Sequence, residues 1–351
     1  MNSSRIDRVL NNAEWPKQNK IKDIEFQTGD VLLLCGGFED RAMAILNLAA
    51  ASKCRSLTVL DFEYTPALKS NHSPQIIKLC EEVNWKHIRI EYDRRDPAGI
   101  FKTTLRNFPQ DLKRIYLDIS GMSRLLVVQL VVGLLRDIKS DIEVSILYTE
   151  AASYPPSKSE ALAKLSNFST DSSEMMSFIS TGVDIAIVPE LSSISINRAP
   201  VRLIAFPSFN PAQLFCLKSI IQPAKTTLIH GVPADPELHW RTNIICKMNQ
   251  ISGDSKDEAF NISTLDYSEC LKLLLSIYDK WSEFNSLVLS PTGSKMQAVA
   301  VGIFRSFIQD IQIIYPTPLH FTNPDEYTLG VRYIYELNLT PFIELNNSLK
   351  N

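Results

Sequence analysis

Two short stretches place hydroxyl, glycine and cationic residues between an apolar run and a long helical pattern. One is "SPTGSK" at residues 290–295, and the other is "DISGMSR" at residues 118–124. The first N–H groups of a helix have no partner within the helix, and the helix dipole is positive there. A turn at this point can hold an anion, so both stretches predict a ligand with a phosphate or another polar edge, such as a nucleotide.

The stretch "SPTGSK" supplies three candidate contacts, Thr292, Ser294 and Lys295, around a turn at Gly293. It is not a Walker A loop, because the first glycine of that motif is absent at the required spacing. Serine and threonine are also ordinary helix caps, and a glycine turn before a helix is common. A purely structural role for these residues is therefore the alternative to a ligand site.

The stretch "DISGMSR" differs in charge. Asp118 ends a predicted strand, Ser120 and Gly121 form the turn, and Arg124 lies in the first helical turn. A carboxylate at this point repels phosphate, although it could instead orient Arg124, accept a hydrogen bond from a ribose hydroxyl or act as a base. The two sites are therefore predicted to be similar but not equivalent.

The chain contains two copies of one ordered series of segments, offset by about 170 residues. The segment "DVLLLCGGFEDRA" aligns with "VRLIAFPSFNPAQ", and the two turns align with Gly121 on Gly293. Identities are few, so the conserved order and the near-constant offset carry the inference. The chain is therefore predicted to be a tandem duplication.

Each copy alternates short β-branched runs with longer helical patterns. Strands are predicted at 31–35, 56–61, 87–92, 114–118 and 142–148, and again at 201–206, 226–230, 260–265, 286–290 and 311–315. Such alternation produces right-handed crossovers and a mainly parallel sheet that is covered on both faces. The predicted fold is α/β, with two tandem Rossmann-like domains related by a pseudo-two-fold axis.

The predicted organisation has four parts. They are an N-terminal extension at 1–29, a first Rossmann-like unit at 30–155, a connecting segment at 156–199 and a second unit at 200–345. A length of 351 residues suits two domains. Within the connecting segment, "GVDIAIVPELSSISI" is predicted to add a hairpin to a sheet edge.

The loops after the first strand of each copy supply a second set of candidates. Ligands of open parallel sheets bind beyond the carboxyl ends of the strands, where these loops lie. The first-copy candidates are Gly36 and Gly37 for close backbone approach, Arg41 for a phosphate and Glu39 for a base or sugar. Alternatively, the charged residues belong to a solvated first helical turn.

The matching second-copy loop offers only neutral candidates, Ser208, Asn210 and Gln213. His230 ends a predicted strand, and a structural histidine is the alternative to a general acid there. Tyr148 and Tyr315 close the last strands of their copies, where either could stack on a base or cap the core.

Composition limits the remaining possibilities. The net charge of −3 argues against an extended nucleic-acid-binding surface, though not against a local basic pocket. Six cysteines without a CxxC pair predict mostly buried free thiols and a reducing, cytoplasmic setting. The sequence suggests no signal peptide, membrane span, metal-ligand spacing or cofactor motif.

The turn and its flanking elements resemble the signature of CARF domains, in which a Thr-Gly-(Gly/Ser/Thr)-(Thr/Ser)-Lys-x-Met-like turn follows the fourth strand of a Rossmann-like fold. The matching residues are Thr292, Gly293, Ser294, Lys295 and Met296. The tandem arrangement over residues 30–340 is similar to that of SAVED domains, which fuse two such units. Ser123 and Arg124 stand where the first copy should have Ser-Lys, so that copy departs from the signature.

This resemblance implies a function. In CARF proteins, two such domains face each other and bind a cyclic oligonucleotide, and the first-strand loops make further contacts with it. The implied protein is a sensor of a nucleotide second messenger, with cyclic oligoadenylate among the candidates, that signals to an effector protein in CRISPR-type antiviral defence. Two alternatives stay open: a ring-nuclease-like enzyme that cleaves a cyclic oligonucleotide, and a non-catalytic interaction scaffold.

Overall fold

The computed structural model describes residues 3–52, 54, 56–65, 71–166, 183–194, 199–249, 257–318 and 328–350. The chain forms two compact units. The first unit combines Glu14–Pro155 with Thr322–Asn351, and the second combines Met1–Ala13 with Pro156–Phe321. Each unit is built around its own sheet.

Thirteen strands lie in the described part of the chain. They are β1 (Asn19–Ile21), β2 (Asp30–Leu34), β3 (Thr58–Thr65), β4 (Lys86–Asp93), β5 (Arg114–Asp118), β6 (Glu143–Glu150), β7 (Val183–Ile187), β8 (Val201–Ala205), β9 (Lys225–Val232), β10 (Glu258–Ser263), β11 (Ser286–Ser290), β12 (Gln312–Pro318) and β13 (Tyr333–Asn338).

The same described residues form eleven α-helices. They are α1 (Ser3–Asn12), α2 (Ala44–Ala51), α3 (Ser73–Glu82), α4 (Ile100–Arg106), α5 (Arg124–Asp137), α6 (Lys158–Ser166), α7 (Pro211–Ile221), α8 (Trp240–Asn249), α9 (Tyr267–Trp281), α10 (Lys295–Phe307) and α11 (Thr340–Lys350). Short 3-10 helices occupy Asp40–Met43, Pro189–Leu191 and Pro236–Leu238.

Six strands follow the same spatial order in both sheets. The first sheet runs β1-β13-β6-β5-β2-β3-β4, and the second, read from its β7 edge, runs β7-β12-β11-β8-β9-β10. The strand β1 is an additional edge strand of the first sheet. Strands β2 to β6 pair in parallel in the first sheet, as β8 to β12 do in the second. Each fifth strand then pairs with an antiparallel neighbour, β13 or β7. Two tandem Rossmann-like folds are therefore present, as the sequence predicts.

Burial on both sheet faces explains the apolar segments that form the central elements. All five residues of β2 are buried, as continuous apolar character predicts for a central parallel strand. Helix α5 is buried from Leu125 to Leu135, and Gly133 lets the ring of Phe101 pack directly against its backbone. The carboxyl ends of the strands are thereby fixed on a rigid core.

The two units divide the chain differently from the boundaries expected from the sequence. Residues 19–21, expected in an extension, form β1 and pair with β13 of the first sheet. Residues 333–338, expected in the second unit, form β13, which pairs antiparallel with β6. This return of the chain fills the edge of the first sheet, so the first unit contains both an early and a late segment.

The connecting segment belongs to the second unit and contributes α6 and β7. Strand β7 pairs antiparallel with β12 at the edge of the sheet. The sequence predicts a hairpin over residues 182–196, of which 182, 195 and 196 lie outside the described residues. Residues 188–191 continue into a 3-10 helix, in which Pro189 lacks the N–H that a second strand would need.

The cysteines are all free thiols, and Cys35, Cys80, Cys216 and Cys270 are buried. Across the described residues, no helix has the length and apolar character that a membrane span requires. Within the same residues, no group of three or more His, Cys, Asp or Glu side chains is placed to hold a metal ion.

Candidate functional site

The candidate residues of each unit surround the topological switch point of its sheet, where the first and fourth strands pair. In the first unit this point lies between β2 and β5, and in the second between β8 and β11. The chain leaves these two strands in opposite directions, and ligands of open parallel sheets generally bind beyond the carboxyl ends of the strands at such a point. We call residues 35–39 and 206–210 the first-unit loop and the second-unit loop, and residues 119–123 and 291–294 the first-unit turn and the second-unit turn.

Loop and turn meet directly in the first unit through their backbones. A Cβ atom placed on Gly121 would lie 2.1 Å from the carbonyl oxygen of Cys35. A Cβ atom on Gly37 would lie 3.1 Å from the carbonyl oxygen of Gly121. Glycine at these positions therefore permits contact between the two segments, which is a role the sequence analysis did not assign.

A side chain makes the corresponding connection in the second unit. The buried hydroxyl of Thr292 donates to the carbonyl oxygen of Phe206 at 2.6 Å. A Cβ atom on Gly293 would lie 2.2 Å from Oε1 of Gln297 and 2.9 Å from the ring of Phe206. The second-unit turn is therefore fixed against the second-unit loop.

Ser294 caps α10 and Lys295 is the first residue of that helix. The hydroxyl of Ser294 accepts from the backbone N–H of Gln297, and Oε1 of Gln297 accepts from the backbone N–H of Ser294, which completes a capping box. The same hydroxyl donates to the carbonyl oxygen of Thr264 at 2.5 Å. The hydroxyls of Thr292 and Ser294 thus stabilise the turn, as the structural alternative proposes, while Lys295 is partly exposed.

The carboxylate of Asp118 organises the first-unit turn. Its Oδ1 accepts from the backbone N–H of Ser120 at 2.9 Å and from the Ser120 hydroxyl at 2.5 Å. The Ser120 hydroxyl in turn accepts from the backbone N–H of Thr149 at 2.8 Å. Asp118 and Ser120 are buried, so the turn is joined to the end of β6.

Helix α5 begins in a similar way to α10. Ser123 is its N-cap and accepts from the backbone N–H of Leu126 at 3.3 Å. The backbone N–H of Ser123 donates to the hydroxyl of Tyr64 at 2.5 Å. Arg124 is the first residue of the helix and is exposed. A cation therefore occupies the first helical position after the fourth strand in both units.

Arg41 is buried among partners of the first unit. Its guanidinium pairs with Glu39 at 3.0 Å and donates to the hydroxyl of Tyr148 and the carbonyl oxygen of Thr149, each at 3.2 Å. Burial works against the charged form, but the Glu39 carboxylate, helped by Tyr148 and Tyr154, raises the pKa of Arg41 above its usual value. Arg41 and Glu39 therefore lie at the predicted edge, where they hold the loop to β6.

Gln213 makes the equivalent connection in the second unit with a neutral side chain. Its Nε2 donates to the carbonyl oxygen of Pro316 at 3.3 Å, and its Oε1 accepts from the hydroxyl of Ser208 at 3.2 Å. The Ser208 hydroxyl also accepts from the backbone N–H of Asn210 at 3.1 Å. In both units a side chain at the start of the first helix reaches a carbonyl at the end of the fifth strand.

Gly36 packs against α3. A Cβ atom there would lie 2.7 Å from the hydroxyl of Ser73, and its carbonyl accepts from the backbone N–H of His72 at 2.6 Å. Its N–H donates to Oδ1 of the buried Asp61 at 3.1 Å. The group that approaches the backbone of Gly36 closely is therefore the start of α3, and not a ligand.

Three further candidates, His230 and the two strand-end tyrosines, lie in the interior. Burial lowers the pKa of His230, and its Nδ1 has no hydrogen-bond partner within the described structure. Tyr148 and Tyr315 are also buried, at 8% and 7% exposure. Their positions favour structural roles over direct contact with a ligand.

The candidates of each unit lie at one sheet edge, and the partners that hold them there are not apparent in the sequence. Those partners are Asp61, Thr149, Phe206 and Gln297. Only Gln297 had a recognisable signal, because Ser-x-x-Gln at 294–297 is the capping-box pattern. The cleft shared by both units stays a prediction.

Comparisons with known proteins found similar solved structures, while no protein-family model and no curated protein matches the chain. A type III CRISPR defence DNA nuclease activated by cyclic oligoadenylate aligns with TM-score 0.46 and 10% identity, over 87% of this chain and 68% of that one. Can2 from Sulfobacillus thermosulfidooxidans, in complex with cyclic tetra-adenylate, aligns with TM-score 0.27 and 13% identity over 37% of each chain.

The cytoplasmic domain of a prokaryotic cation chloride cotransporter aligns with TM-score 0.22 and 8% identity, over 83% of this chain and 95% of that one. These overlaps are partial, and the assignment of the fold rests on the strand order of the two sheets.

Proposed function

We propose that the chain is a sensor that binds a nucleotide second messenger of the cyclic oligoadenylate class at the carboxyl edges of its sheets. The observation that carries the proposal is the recurrence of a cation at one position. Arg124 and Lys295 are each the first residue of the helix that follows the fourth strand. A cation there opposes the helix dipole at a cost of about 0.3–1 kcal/mol when exposed.

An anionic ligand offsets this cost, because the cation and the positive helix end both attract it. The neighbouring turns are rigid, since capping and strand-end hydrogen bonds hold them in place before any ligand arrives. A preformed site loses less conformational entropy on binding. The phosphates of a nucleotide fit this arrangement in charge, and ligands of open parallel sheets generally bind at such switch points.

The proposed output is a signal to an effector protein in antiviral defence. Two similar solved structures are described as activated by, or bound to, a cyclic oligoadenylate, and this fixes the ligands to be tried first. Cleavage of the ligand is the alternative outcome, and it would make the protein a ring-nuclease-like enzyme.

Thermal unfolding of the full chain with a panel of linear and cyclic oligoadenylates tests the proposal. A ligand at 100 times its dissociation constant adds about 2.7 kcal/mol to the free energy of unfolding. Chromatography of the ligand after incubation separates a sensor, which returns it intact, from an enzyme. If no nucleotide raises the melting temperature, the interaction scaffold becomes the better account.

A further inference from the structure

Three side chains of the second unit pack together in a group that the predicted site did not include. The rings of Phe209 and Trp240 lie 6.3 Å apart between centroids, with planes tilted by 50°. The guanidinium carbon of Arg241 lies 4.6 Å from the centroid of Phe209 and 5.3 Å from that of Trp240. We call these three residues the aromatic–arginine shelf.

The shelf lies at the carboxyl edge of the second sheet. Phe209 belongs to the second-unit loop, and Trp240 and Arg241 begin α8. Helix α8 is joined to this edge by two hydrogen bonds, from Thr242 to the carbonyl oxygen of Gly231 at 2.8 Å and from Asn249 to that of Ser208 at 2.8 Å.

The shelf is also close to the second-unit turn. Phe206 accepts the hydrogen bond of Thr292 and precedes Phe209 by three residues. Because consecutive Cα atoms are 3.8 Å apart, the Cα atoms of Phe206 and Phe209 are separated by about 11 Å at most. One ligand can therefore reach the turn with its phosphate and the shelf with another part.

The shelf differs from a second cation–π pair of the same unit, which has a structural role. Arg202 lies 3.8 Å above the ring of Trp281, but it is buried, donates to Thr227 and pairs with the carboxylate of Glu258. That stack lies at the amino end of β8 and supports the core. Each residue of the shelf instead keeps part of its surface exposed, although Phe209 and Trp240 also pack against Ile244 and Met248.

The guanidinium of Arg241 is held in place by its hydrogen bond to the carbonyl oxygen of Pro156 at 3.0 Å. A planar guanidinium and an aromatic ring are the two surfaces on which proteins stack nucleobases. Such stacking requires little rearrangement when the surface is already fixed.

We propose that the aromatic–arginine shelf stacks a heteroaromatic base of the nucleotide, while the second-unit turn faces its phosphate. This inference rests on the proposed function and adds the residues that would recognise the base. Since every base has a π-face, the shelf distinguishes a ligand with a base from one without, rather than one base from another.

Calorimetric titration of the full chain with cyclic tetra-adenylate and with ribose 5-phosphate tests this proposal. Trp240→Leu keeps apolar packing without an aromatic face, Arg241→Ala removes the guanidinium, and Lys247→Ala on the exposed side of α8 is the matched control. Loss of one stacking contact weakens binding by about 5- to 150-fold. We expect this loss for cyclic tetra-adenylate in both shelf variants, no change in the control, and an unchanged affinity for ribose 5-phosphate in all three.

Trp240→Phe provides a second test, because it retains a ring and should keep most of the affinity while losing any ligand-induced change in the fluorescence of Trp240. If the parent protein binds cyclic tetra-adenylate and both shelf variants bind it equally well, the shelf proposal is overturned and the proposed function stands. If the parent protein binds no adenylate, both are overturned. Equal weakening for ribose 5-phosphate would also overturn base stacking, since that probe has no base.

Discussion

The hydroxyl of Thr292 donates a 2.6 Å hydrogen bond to the carbonyl oxygen of Phe206 and so joins the two segments that leave the central strands of the second sheet. In the first unit the same two segments touch through the backbone at Gly121 and Cys35. The loop and the turn at each switch point are thus joined by a side-chain hydrogen bond in the second unit and by a backbone contact in the first. Because these contacts are buried, their removal should lower the stability of the fold even when no ligand is present.

Thr292→Val should reduce the free energy of unfolding by about 1–3 kcal/mol, because it leaves the carbonyl oxygen of Phe206 without its buried donor. Valine matches threonine in shape, so packing changes little. Urea denaturation measures the effect. Thr292→Ser retains the hydroxyl and should lose less stability than Thr292→Val; a larger loss for Thr292→Ser would show that packing of the methyl group matters more than the hydrogen bond.

Gly121→Ala should destabilise the first unit by about 1–3 kcal/mol or more, because the added methyl group would lie 2.1 Å from a backbone oxygen that cannot move alone. Gly231→Ala is the matched control, since the nearest atom there is the side-chain methyl of Thr264 at 2.7 Å. The melting temperature should fall further for Gly121→Ala. The reverse order would contradict the close contact between loop and turn.

Local patterns predicted the parallel part of each sheet. Strands β5 and β11 lie at the predicted bounds, and all ten predicted strands are present, because apolar β-branched runs between turn residues specify them. The edge strand β1 was missed. It is a three-residue, mostly exposed segment whose pairing with β13 depends on a distant register and not on a local pattern.

For the candidate site, the sequence predicts where the residues lie along the helices and strands, but not which tertiary partners they contact. Helix starts at Arg124 and Lys295 follow from the turn and capping residues that precede them. The partner of Arg41 could not be predicted, because Thr149 is 108 residues away and contributes only its backbone carbonyl. Sequence patterns indicate side-chain chemistry, whereas such contacts depend on tertiary packing.

Arg41→Ala should be much more destabilising than Gln213→Ala, although both remove the contact between the first helix and the fifth strand. Loss of Arg41 leaves the mostly buried Glu39 carboxylate without its cation, which typically costs about 3–5 kcal/mol. Loss of Gln213 removes a neutral hydrogen bond, worth about 0.5–1.5 kcal/mol. Chemical denaturation of both variants measures the difference, and the double variant Glu39→Gln, Arg41→Ala should recover part of the loss. Similar losses in the free energy of unfolding for the two single variants would show that the ion pair of Arg41 and Glu39 contributes little to stability.

His230 should make stability depend on pH. Burial lowers its pKa in the folded protein below the unfolded value of about 6.5, so the unfolded chain binds the proton more readily. The stabilising contribution is therefore fully present above about pH 6.5 and is lost as the pH falls below that value. His230→Leu removes the titrating group, and its denaturation midpoint should fall less between pH 7 and pH 5 than that of the parent protein. Identical pH dependence in the two proteins would show that other groups account for it.

Lys295→Ala should weaken binding of a nucleotide by about 10- to 150-fold, because one charge-assisted contact contributes about 1.5–3 kcal/mol and each 1.4 kcal/mol is tenfold. The fold should be retained, since Lys295 is a partly exposed residue at the first position of α10. Calorimetric titration with cyclic tetra-adenylate gives the affinity, and thermal unfolding without ligand gives the stability.

Lys295→Arg and Arg124→Ala make the test of Lys295 specific. Lys295→Arg keeps the charge and should retain most of the affinity. Arg124→Ala removes the corresponding cation of the first unit, where the Asp118 carboxylate ends the preceding strand. Because that carboxylate repels a phosphate, the loss of affinity should be smaller than for Lys295→Ala. A parent protein that binds the ligand and a Lys295→Ala variant that binds it equally well would remove Lys295 from the site and leave it as a helix residue.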